Sequence, residues 1–281
     1  MTPDETFLNQ TRYHLFNTTA PRYEPLIMPA FGPLAARLVE AAQLQPHERV
    51  LDLGTGTGAV GLPAGQVARQ VVGLDYAPAM LAIAQRNTLK AQAQNVGFYQ
   101  GDMHRLPHPA NTFAVALASF GFNGVDPERV FREVKRVLQA GGRLVFQEWG
   151  EVEEASKIVK QAIKAHKVER AEGFLADLRR LSETLTAWDE LNDEEDIARL
   201  LGRAGFGEVK ILIEREAIPF EPGPFYHYKT AWAPYQAELA AMPDAERTAV
   251  ETEVVARLSA WAGPDGRFTW KPELVRIIAW T

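Results

Sequence analysis

The sequence contains no cysteine, which excludes disulfides, thiolate nucleophiles and metal sites built on cysteine. It also lacks an uninterrupted apolar run of the roughly 20 residues that a membrane span needs. The first ten residues carry Asp4 and Glu5 and have no apolar signal core. A net charge of -6 and the absence of any Lys/Arg run argue against a nucleic-acid partner. We therefore expect a cytoplasmic protein, monomeric or homodimeric, without a membrane span, a nucleic-acid partner or a bound metal.

Short apolar runs alternate with amphipathic helical patterns through most of the chain. The predicted strands are Arg49–Leu53, Gln70–Leu74, Val96–Gln100, Phe113–Ala118, Arg143–Trp149, Val209–Glu214 and Phe268–Ala279. Intervening helices of this length are typical of right-handed βαβ units, whose sheets are covered on both faces. The sequence thus predicts an α/β fold: a Rossmann-like, seven-stranded, mostly parallel sheet with helices on both faces, plus helical cap insertions.

The order and spacing of the predicted strands and helices also predict the domain organisation. Residues 1–30 show no steady period and are interpreted as an N-terminal lid segment, a short helix and a loop. Pro33 is suited to the start of the next helix, and residues 31–150 form the nucleotide-binding core. Residues 151–190 are helical and charged, as expected of a cap insertion. Residues 191–281 complete the sheet and contain a second helical insertion at about 222–263.

A glycine-rich stretch follows the first predicted strand. Gly56-Thr-Gly-Ala-Val-Gly61 matches the G-x-G-x-x-G dinucleotide fingerprint, which is a weak signal when it stands alone. Asp75 follows Gly56 by nineteen residues, at the spacing of an acidic residue that holds ribose hydroxyls. The pattern favours a nucleotide ribose over a purely structural turn, and it leaves the identity of the cofactor open.

Four motifs follow successive strands in order. They are Val50-Leu-Asp-Leu-Gly-Thr-Gly-Thr-Gly58, Val72-Gly-Leu-Asp75 with Pro78-Ala-Met80, Gly101-Asp-Met103, and Arg136-Val-Leu-Gln-Ala-Gly-Gly-Arg-Leu144. Together they resemble the class I S-adenosylmethionine-dependent methyltransferases, in particular the branch of quinone-biosynthesis and natural-product enzymes. That family has an acidic residue two positions before the first glycine, and Asp52 fits. The resemblance covers residues 45–150 strongly and the last strands loosely.

The resemblance implies S-adenosylmethionine as the cofactor and a set of residues around it. The implied cofactor residues are Tyr23, Gly54, Thr55, Gly56, Gly58, Asp75, Tyr76, Met80, Asp102, Met103 and Ser119. Asp75 can accept two hydrogen bonds from the ribose diol, while Tyr76 and Met80 offer flat or polarizable surface to adenine. Asp102 and the Met103 N–H would bind the adenine edge. The glycine turn, Ser119 and Tyr23 would border the methionyl arm.

No motif identifies a catalytic residue. The cofactor supplies the electrophile, so the protein has mainly to align a nucleophile and exclude water from it. A phenol or amine acceptor could also need a general base. His227 and His14 are weak candidates for that base, and the ordinary roles of a lone histidine, packing or solvent exposure, are favoured for both. His104 is interpreted as an exposed turn residue.

Aromatic residues at strand ends and in the second insertion suggest an apolar acceptor pocket. The predicted pocket residues are Phe120, Phe122, Trp149, Tyr226 and Tyr228. Open α/β sheets bind ligands at the carboxyl ends of their strands, where the first three lie. We expect a small acceptor of apolar or aromatic character, methylated at oxygen, nitrogen or carbon.

Two other functions are compatible with this fold. The first is an NAD(P)-dependent oxidoreductase, but the Tyr/Lys, His or metal constellation that it needs is not recognisable. The second is a regulatory protein that binds S-adenosylmethionine without turnover, which the sequence does not exclude.

Overall fold

The structure is a computed structural model that describes residues 3–122, 125–184 and 194–281. Its contacts divide the chain into two compact units. The sheet unit comprises Phe31–Gly150, Thr186–Glu214 and Leu274–Thr281, and the helical unit comprises Met1–Ala30, Glu151–Leu185 and Arg215–Glu273. The predicted boundary between residues 190 and 191 lies outside the described residues.

Seven strands form the main sheet, in the order β3-β2-β1-β4-β5-β9-β6. These strands are β1 (Arg49–Leu53), β2 (Gln70–Asp75), β3 (Val96–Gln100), β4 (Phe113–Ser119), β5 (Leu138–Trp149), β6 (Val209–Arg215) and β9 (Glu273–Trp280). Strands β1 to β5 are parallel to one another, whereas β9 is antiparallel to β5. The Rossmann-like, mostly parallel sheet expected from the sequence is confirmed.

Helices cover both faces of this sheet. They are α2 (Met28–Ala42), α3 (Gly61–Gly65), α4 (Pro78–Ala91), α5 (Pro127–Val137) and α8 (Glu194–Arg203). On one face, apolar residues of α5 and α8 pack with Leu51, Phe146 and Ile277 of the strands. On the other face, α2 and α3 pack against a second set of strand residues. Alternate residues of strands β1, β4 and β5 therefore enter different cores, as the two-residue period of a strand requires.

The helical unit contains most of the remaining elements. Its helices are α1 (Pro3–Arg22), α6 (Glu154–His166), α7 (Gly173–Thr184), α9 (Pro222–Thr230), α10 (Ala233–Ala241) and α11 (Asp244–Ser259). Helix α11 packs against α6 and α9, and α10 packs against α7 and α1. A two-stranded antiparallel sheet joins β7 (Ile218–Phe220) to β8 (Phe268–Trp270). Among the described residues, no helix is long and apolar enough to cross a membrane.

The N-terminal segment is more regular than its sequence suggests. The prediction of a short helix and a loop is wrong, because α1 spans twenty residues and continues through a π-helical turn, Tyr23–Ile27, into α2. Pro33 lies inside α2 rather than at its start. Prolines recur at every fourth position from Pro21 to Pro33, and a proline has no N–H for the residue four places earlier. The pattern of backbone hydrogen bonds changes at this point: Met28 N–H donates to Tyr23 O, five residues earlier rather than four.

The last predicted strand, Phe268–Ala279, is in fact two strands in different sheets. Residues Phe268–Trp270 pair with β7, whereas Glu273–Trp280 join the main sheet beside β5. Lys271 and Pro272 separate them, and Pro272 cannot donate to a ladder. The apolar pattern on both sides of the break is continuous, which explains why the sequence predicts one strand.

Candidate functional site

The order of strands in the main sheet reverses at β1. Strand β1 lies between β2 and β4, so the connections leave it in opposite directions at the edge where the parallel strands end. We call this edge the carboxyl edge. Open α/β sheets bind ligands in the crevice outside such a reversal. The glycine turn follows β1 at this edge, and Asp75 ends β2.

Two loops approach each other closely at the reversal. Gly54 follows β1 with a φ of 67°, and a Cβ added there would lie 2.8 Å from Gly121 Cα, in the loop after β4. A Cβ on Gly121 would lie 2.5 Å from Leu53 O. Side chains do not fit at either position. The glycines therefore let the two backbones meet at the edge where a ligand would lie.

Asp75 and the glycine turn, which the sequence links by spacing, are in direct contact. Asp75 Oδ2 accepts from Gly56 N–H at 2.8 Å, and Oδ1 accepts from Ala77 N–H at 2.8 Å. Burial raises the pKa of Asp75 although these amides favour its charged form. The N-cap of α4 is Ala77. The backbone N–H of Tyr76 also favours the charged carboxylate, and a ribose diol would share the lone pairs of the two oxygens with these amides.

A second buried carboxyl group lies behind the turn. Asp52 Oδ2 accepts from Thr55 Oγ1 at 2.6 Å, while Oδ1 is buried without a partner among the described residues. Burial raises the pKa of Asp52 to about 7. The hydroxyl of Thr57 is buried too, and the described ranges offer it no hydrogen-bond partner. Because buried polar atoms are nearly always hydrogen-bonded in native proteins, these two atoms fit a site completed by a donor-bearing ligand.

The loop after β3 carries the predicted adenine-binding residues. Asp102 is exposed, and its Oδ1 accepts from the backbone and the ring of His104. Met103 packs partly against the core. Met80 is 1% exposed on α4, whereas Tyr76 is 38% exposed. Tyr76 is therefore accessible to a ligand, and core packing alone accounts for Met80.

Ser119, the last residue of β4, belongs to a polar network. The donor and the acceptor of each hydrogen bond in it can be identified. The Arg276 guanidinium can only donate, and it donates to Gln147 Oε1 at 3.1 Å. Gln147 Nε2 therefore donates to Ser119 Oγ at 2.9 Å and to Leu34 O at 3.1 Å. The Ser119 hydroxyl accepts within this network, so its own proton is available for an acceptor at the carboxyl edge.

Three aromatic rings gather where β4 and β5 end. Phe120 stacks on Trp149 with centroids 4.1 Å apart, and Phe31 lies 4.9 Å from Phe120. Phe120 has a φ of 55°, which is an outlier for a bulky residue and costs on the order of 1–3 kcal/mol. Strain of this kind is concentrated at functional sites.

Phe122, predicted beside Phe120 in the same pocket, lies elsewhere. It is fully buried and packs edge-on against Phe131 of α5 and Phe146 of β5. Its side chain is therefore part of the core between the sheet and α5. Residues two apart in a strand share one face, but Phe120 and Phe122 lie beyond the end of β4, so this rule does not place their side chains together.

The remaining predicted residues belong to the helical unit. Tyr23 meets Trp232 edge-on, and Tyr226 and Tyr228 are buried. Burial, helped by Glu251, raises the pKa of Tyr226 to about 12. His227 is exposed with Nε2 3.6 Å from Glu251, and the exposed His14 packs on Phe174. Neither histidine has the buried, oriented setting of a general base.

The structure also reveals polar residues that the sequence does not single out. Glu148 on β5 is 4% exposed, and its Oε1 accepts from Phe122 N–H at 3.4 Å. In the helical unit, Lys229 Nζ lies 5.4 Å from the Tyr228 ring and 5.7 Å from the Trp270 ring. Burial lowers the pKa of Lys229 to about 8, against the opposing effect of Glu153. The burial of Glu148 and Lys229 arises from the tertiary structure, and the pattern of the amino-acid sequence does not indicate it.

Replacing Glu148 by glutamine should remove a pH-dependent loss of stability. Burial raises the pKa of Glu148 from 4.5 to about 8, so between these values the native protein keeps a proton that the unfolded chain has released. The free energy of unfolding therefore falls as pH rises through this window, by on the order of 4 kcal/mol for this group.

Glu148→Gln imitates the protonated acid. We expect stability close to wild type at about pH 5 and greater than wild type at about pH 9, measured by urea unfolding. A difference between the two proteins that is the same at both pH values would contradict the prediction.

Comparison with known proteins supports a relation to methyltransferases. Residues 51–146 match a family model described as a methyltransferase domain. The demethylmenaquinone methyltransferase of Thermus thermophilus is 40% identical over 142 residues, 48% of this chain and 64% of that enzyme. Its counterpart in Corynebacterium kroppenstedtii is 32% identical over 171 residues, 59% of this chain and 70% of that enzyme.

A solved structure extends the similarity to the fold. The YcgJ protein from Bacillus subtilis superposes with a TM-score of 0.57 at 15% identity, covering 88% of this chain and 97% of that one. Identity at this level shows a shared fold only. The chain spans slightly less than two thirds of the length of the Thermus relative.

Proposed function

Because the chain belongs to the class I S-adenosylmethionine-dependent methyltransferases, we propose that it transfers the methyl group of S-adenosylmethionine to a small-molecule acceptor. One observation carries the proposal: at the reversal of strand order, the Asp75 carboxylate lies 2.8 Å from Gly56 N–H of the glycine turn. A ribose held by Asp75 would place the rest of a nucleoside cofactor along the carboxyl edge.

The residues present at the edge fit this cofactor. Asp75 would accept from the ribose hydroxyls, and Asp102 with the Met103 N–H would bind the adenine. The unpartnered oxygen of Asp52 and the free proton of Ser119 match, as acceptor and donor, the ammonium and carboxylate of a methionyl arm. The cofactor supplies a methyl group on a sulfonium, so the chain has to hold an acceptor in line and exclude water.

The acceptor that we propose is an apolar, aromatic small molecule. The stacked Phe120 and Trp149 rings support this, because they present aromatic surface at the carboxyl edge. Trp149 is only half-buried and can contact a ligand. The curated relatives are named for demethylmenaquinone, an aromatic acceptor that makes quinones of this type the first candidates to test.

Calorimetry tests the cofactor directly. We expect S-adenosylmethionine and S-adenosylhomocysteine to bind with dissociation constants on the order of micromolar, and NAD not to bind. Binding of NAD without S-adenosylmethionine would favour an oxidoreductase and overturn the proposal.

Turnover is a separate question from binding. We expect transfer of a labelled methyl group to a reduced demethylmenaquinone analogue, detected by mass spectrometry. Cofactor binding without transfer to any of a panel of aromatic acceptors would favour a regulatory protein. An Asp75→Ala sample is the blank, because it should lack the cofactor.

A further inference from the structure

His104 joins two loops at the carboxyl edge. Its Nδ1 lies 2.6 Å from Asp102 Oδ1, in the loop after β3. Its Nε2 accepts from the backbone N–H of Asp126 at 3.0 Å, at the residue that caps α5. The side chain of His104 is only 15% exposed, in contrast to the exposed turn residue predicted from the sequence. Both ring nitrogens are therefore used.

These two contacts determine which nitrogen of the His104 ring carries the proton. A backbone N–H can only donate, so Nε2 must carry a lone pair towards Asp126. In the neutral ring the single proton is then on Nδ1, which donates it to Asp102. The opposite tautomer would turn an N–H towards Asp126 N–H and a lone pair towards a carboxylate. The side chain of His104 therefore acts as a directed bridge from Asp126 to Asp102.

The bridge leaves one side of the Asp102 carboxylate free. Oδ1 is engaged by the ring and by the backbone N–H of His104, and the pKa of Asp102 is lowered chiefly by the side chain of His104. Within the described ranges, no hydrogen bond is found to Asp102 Oδ2 or to Met103 N–H. An anionic acceptor and a backbone donor thus stand side by side in the chain.

An adenine edge presents the opposite pair, an amino donor beside a ring-nitrogen acceptor. We propose that His104 is a positioning residue that holds Asp102 for adenine, so that the site selects a 6-amino purine over a 6-oxo purine. The inference rests on the proposed function and adds to it the selection of the base. A 6-oxo purine presents a carbonyl oxygen to the carboxylate and a ring N–H to the Met103 N–H, and both contacts fail.

Three variants separate the two halves of the bridge. In His104→Asn, the amide nitrogen can replace Nδ1 and keep the bond to Asp102. In His104→Gln, the amide oxygen can replace Nε2 and accept from Asp126, but the group near Asp102 is lost. His104→Ala removes both contacts. The ligands are S-adenosylhomocysteine and S-inosylhomocysteine, which differ only at the 6-position of the base, and calorimetry measures the ratio of their affinities.

We expect the wild type to prefer the adenosyl compound on the order of 100-fold, because the inosyl compound leaves polar groups unpaired. His104→Asn should retain this ratio, whereas His104→Gln and His104→Ala should reduce it about tenfold. A merely structural role would weaken both ligands equally and leave the ratio unchanged in all three variants. That result, or an unchanged ratio in His104→Gln alone, would overturn the inference.

A measurement on the wild type protects the test against variants that do not fold. Long-range ¹H–¹⁵N NMR should show a protonated Nδ1 and a bare Nε2 for His104, and the reverse tautomer would contradict the bridge. If wild-type protein binds the two compounds equally, the inference fails while the proposed function stands. If it binds neither compound, the proposed function fails and the inference fails with it.

Discussion

An Asp75→Ala variant should lose at least about 100-fold in affinity for S-adenosylhomocysteine. The expected loss combines two charge-assisted hydrogen bonds to the ribose, each typically worth on the order of 2 kcal/mol. The substitution also removes the acceptor for Gly56 N–H and Ala77 N–H, so the turn itself becomes less ordered. Calorimetry on the purified variant measures the loss.

Matched substitutions separate recognition from general damage. Asp75→Asn keeps an oxygen but not the charge, and should fall between the wild type and Asp75→Ala. Glu208→Ala changes an exposed acid just before β6, whose carbonyl accepts from Trp280 N–H beside the start of β5; it lies at the opposite edge of the sheet and should bind like the wild type. Wild-type affinity in Asp75→Ala would contradict the assignment of Asp75 to the ribose, and the proposed function would lose its main support.

A Gly121→Ala variant should be destabilised by about 3 kcal/mol or more and should not bind the cofactor. The new Cβ would lie 2.5 Å from Leu53 O and 3.4 Å from Leu53 C, both backbone atoms at the end of a buried central strand. Backbone cannot rotate away as a flexible side chain can, so relief requires β1 and the glycine turn to move. Urea unfolding and calorimetry measure the two effects.

The control for this substitution is Gly97→Ala on β3. A Cβ there meets nothing within 4 Å, and its expected effect on the free energy of unfolding is below about 1 kcal/mol. Gly54→Ala should resemble Gly121→Ala, because its Cβ would lie 2.8 Å from Gly121 Cα. Normal stability of Gly121→Ala would mean that the two loops separate at little cost.

The sequence predicts the features of this protein that depend on short-range pattern. Strands β1 to β4 are apolar runs bounded by turns, and the link between Asp75 and the glycine turn follows from their spacing. The break at Pro272 was missed because the apolar pattern continues on both sides of it. The long N-terminal helix was missed because proline signals a helix end, and here helical packing outweighs that preference.

The site is less predictable than the strands, for a physical reason. His104 obtains its role from Asp126, 22 positions away, and the buried Glu148 accepts from Phe122 N–H, 26 positions away. Phe120 and Phe122 are near neighbours with the same chemistry, yet one stacks on Trp149 and the other fills the core. Only the tertiary structure distinguishes such residues.

The prolines of the N-terminal helical run affect how this segment can open. Over Pro21–Pro33, every fourth residue is a proline and lacks an amide hydrogen. The backbone hydrogen bonds that these residues would donate in an ordinary helix are therefore absent. Peeling this part of the run from its neighbours breaks fewer backbone hydrogen bonds than opening an ordinary helix of equal length. Its order depends on burial of side chains such as Ile27, Ala30 and Phe31. The cost of opening this segment therefore lies mainly in exposing these side chains to water, and only to a small extent in breaking backbone hydrogen bonds.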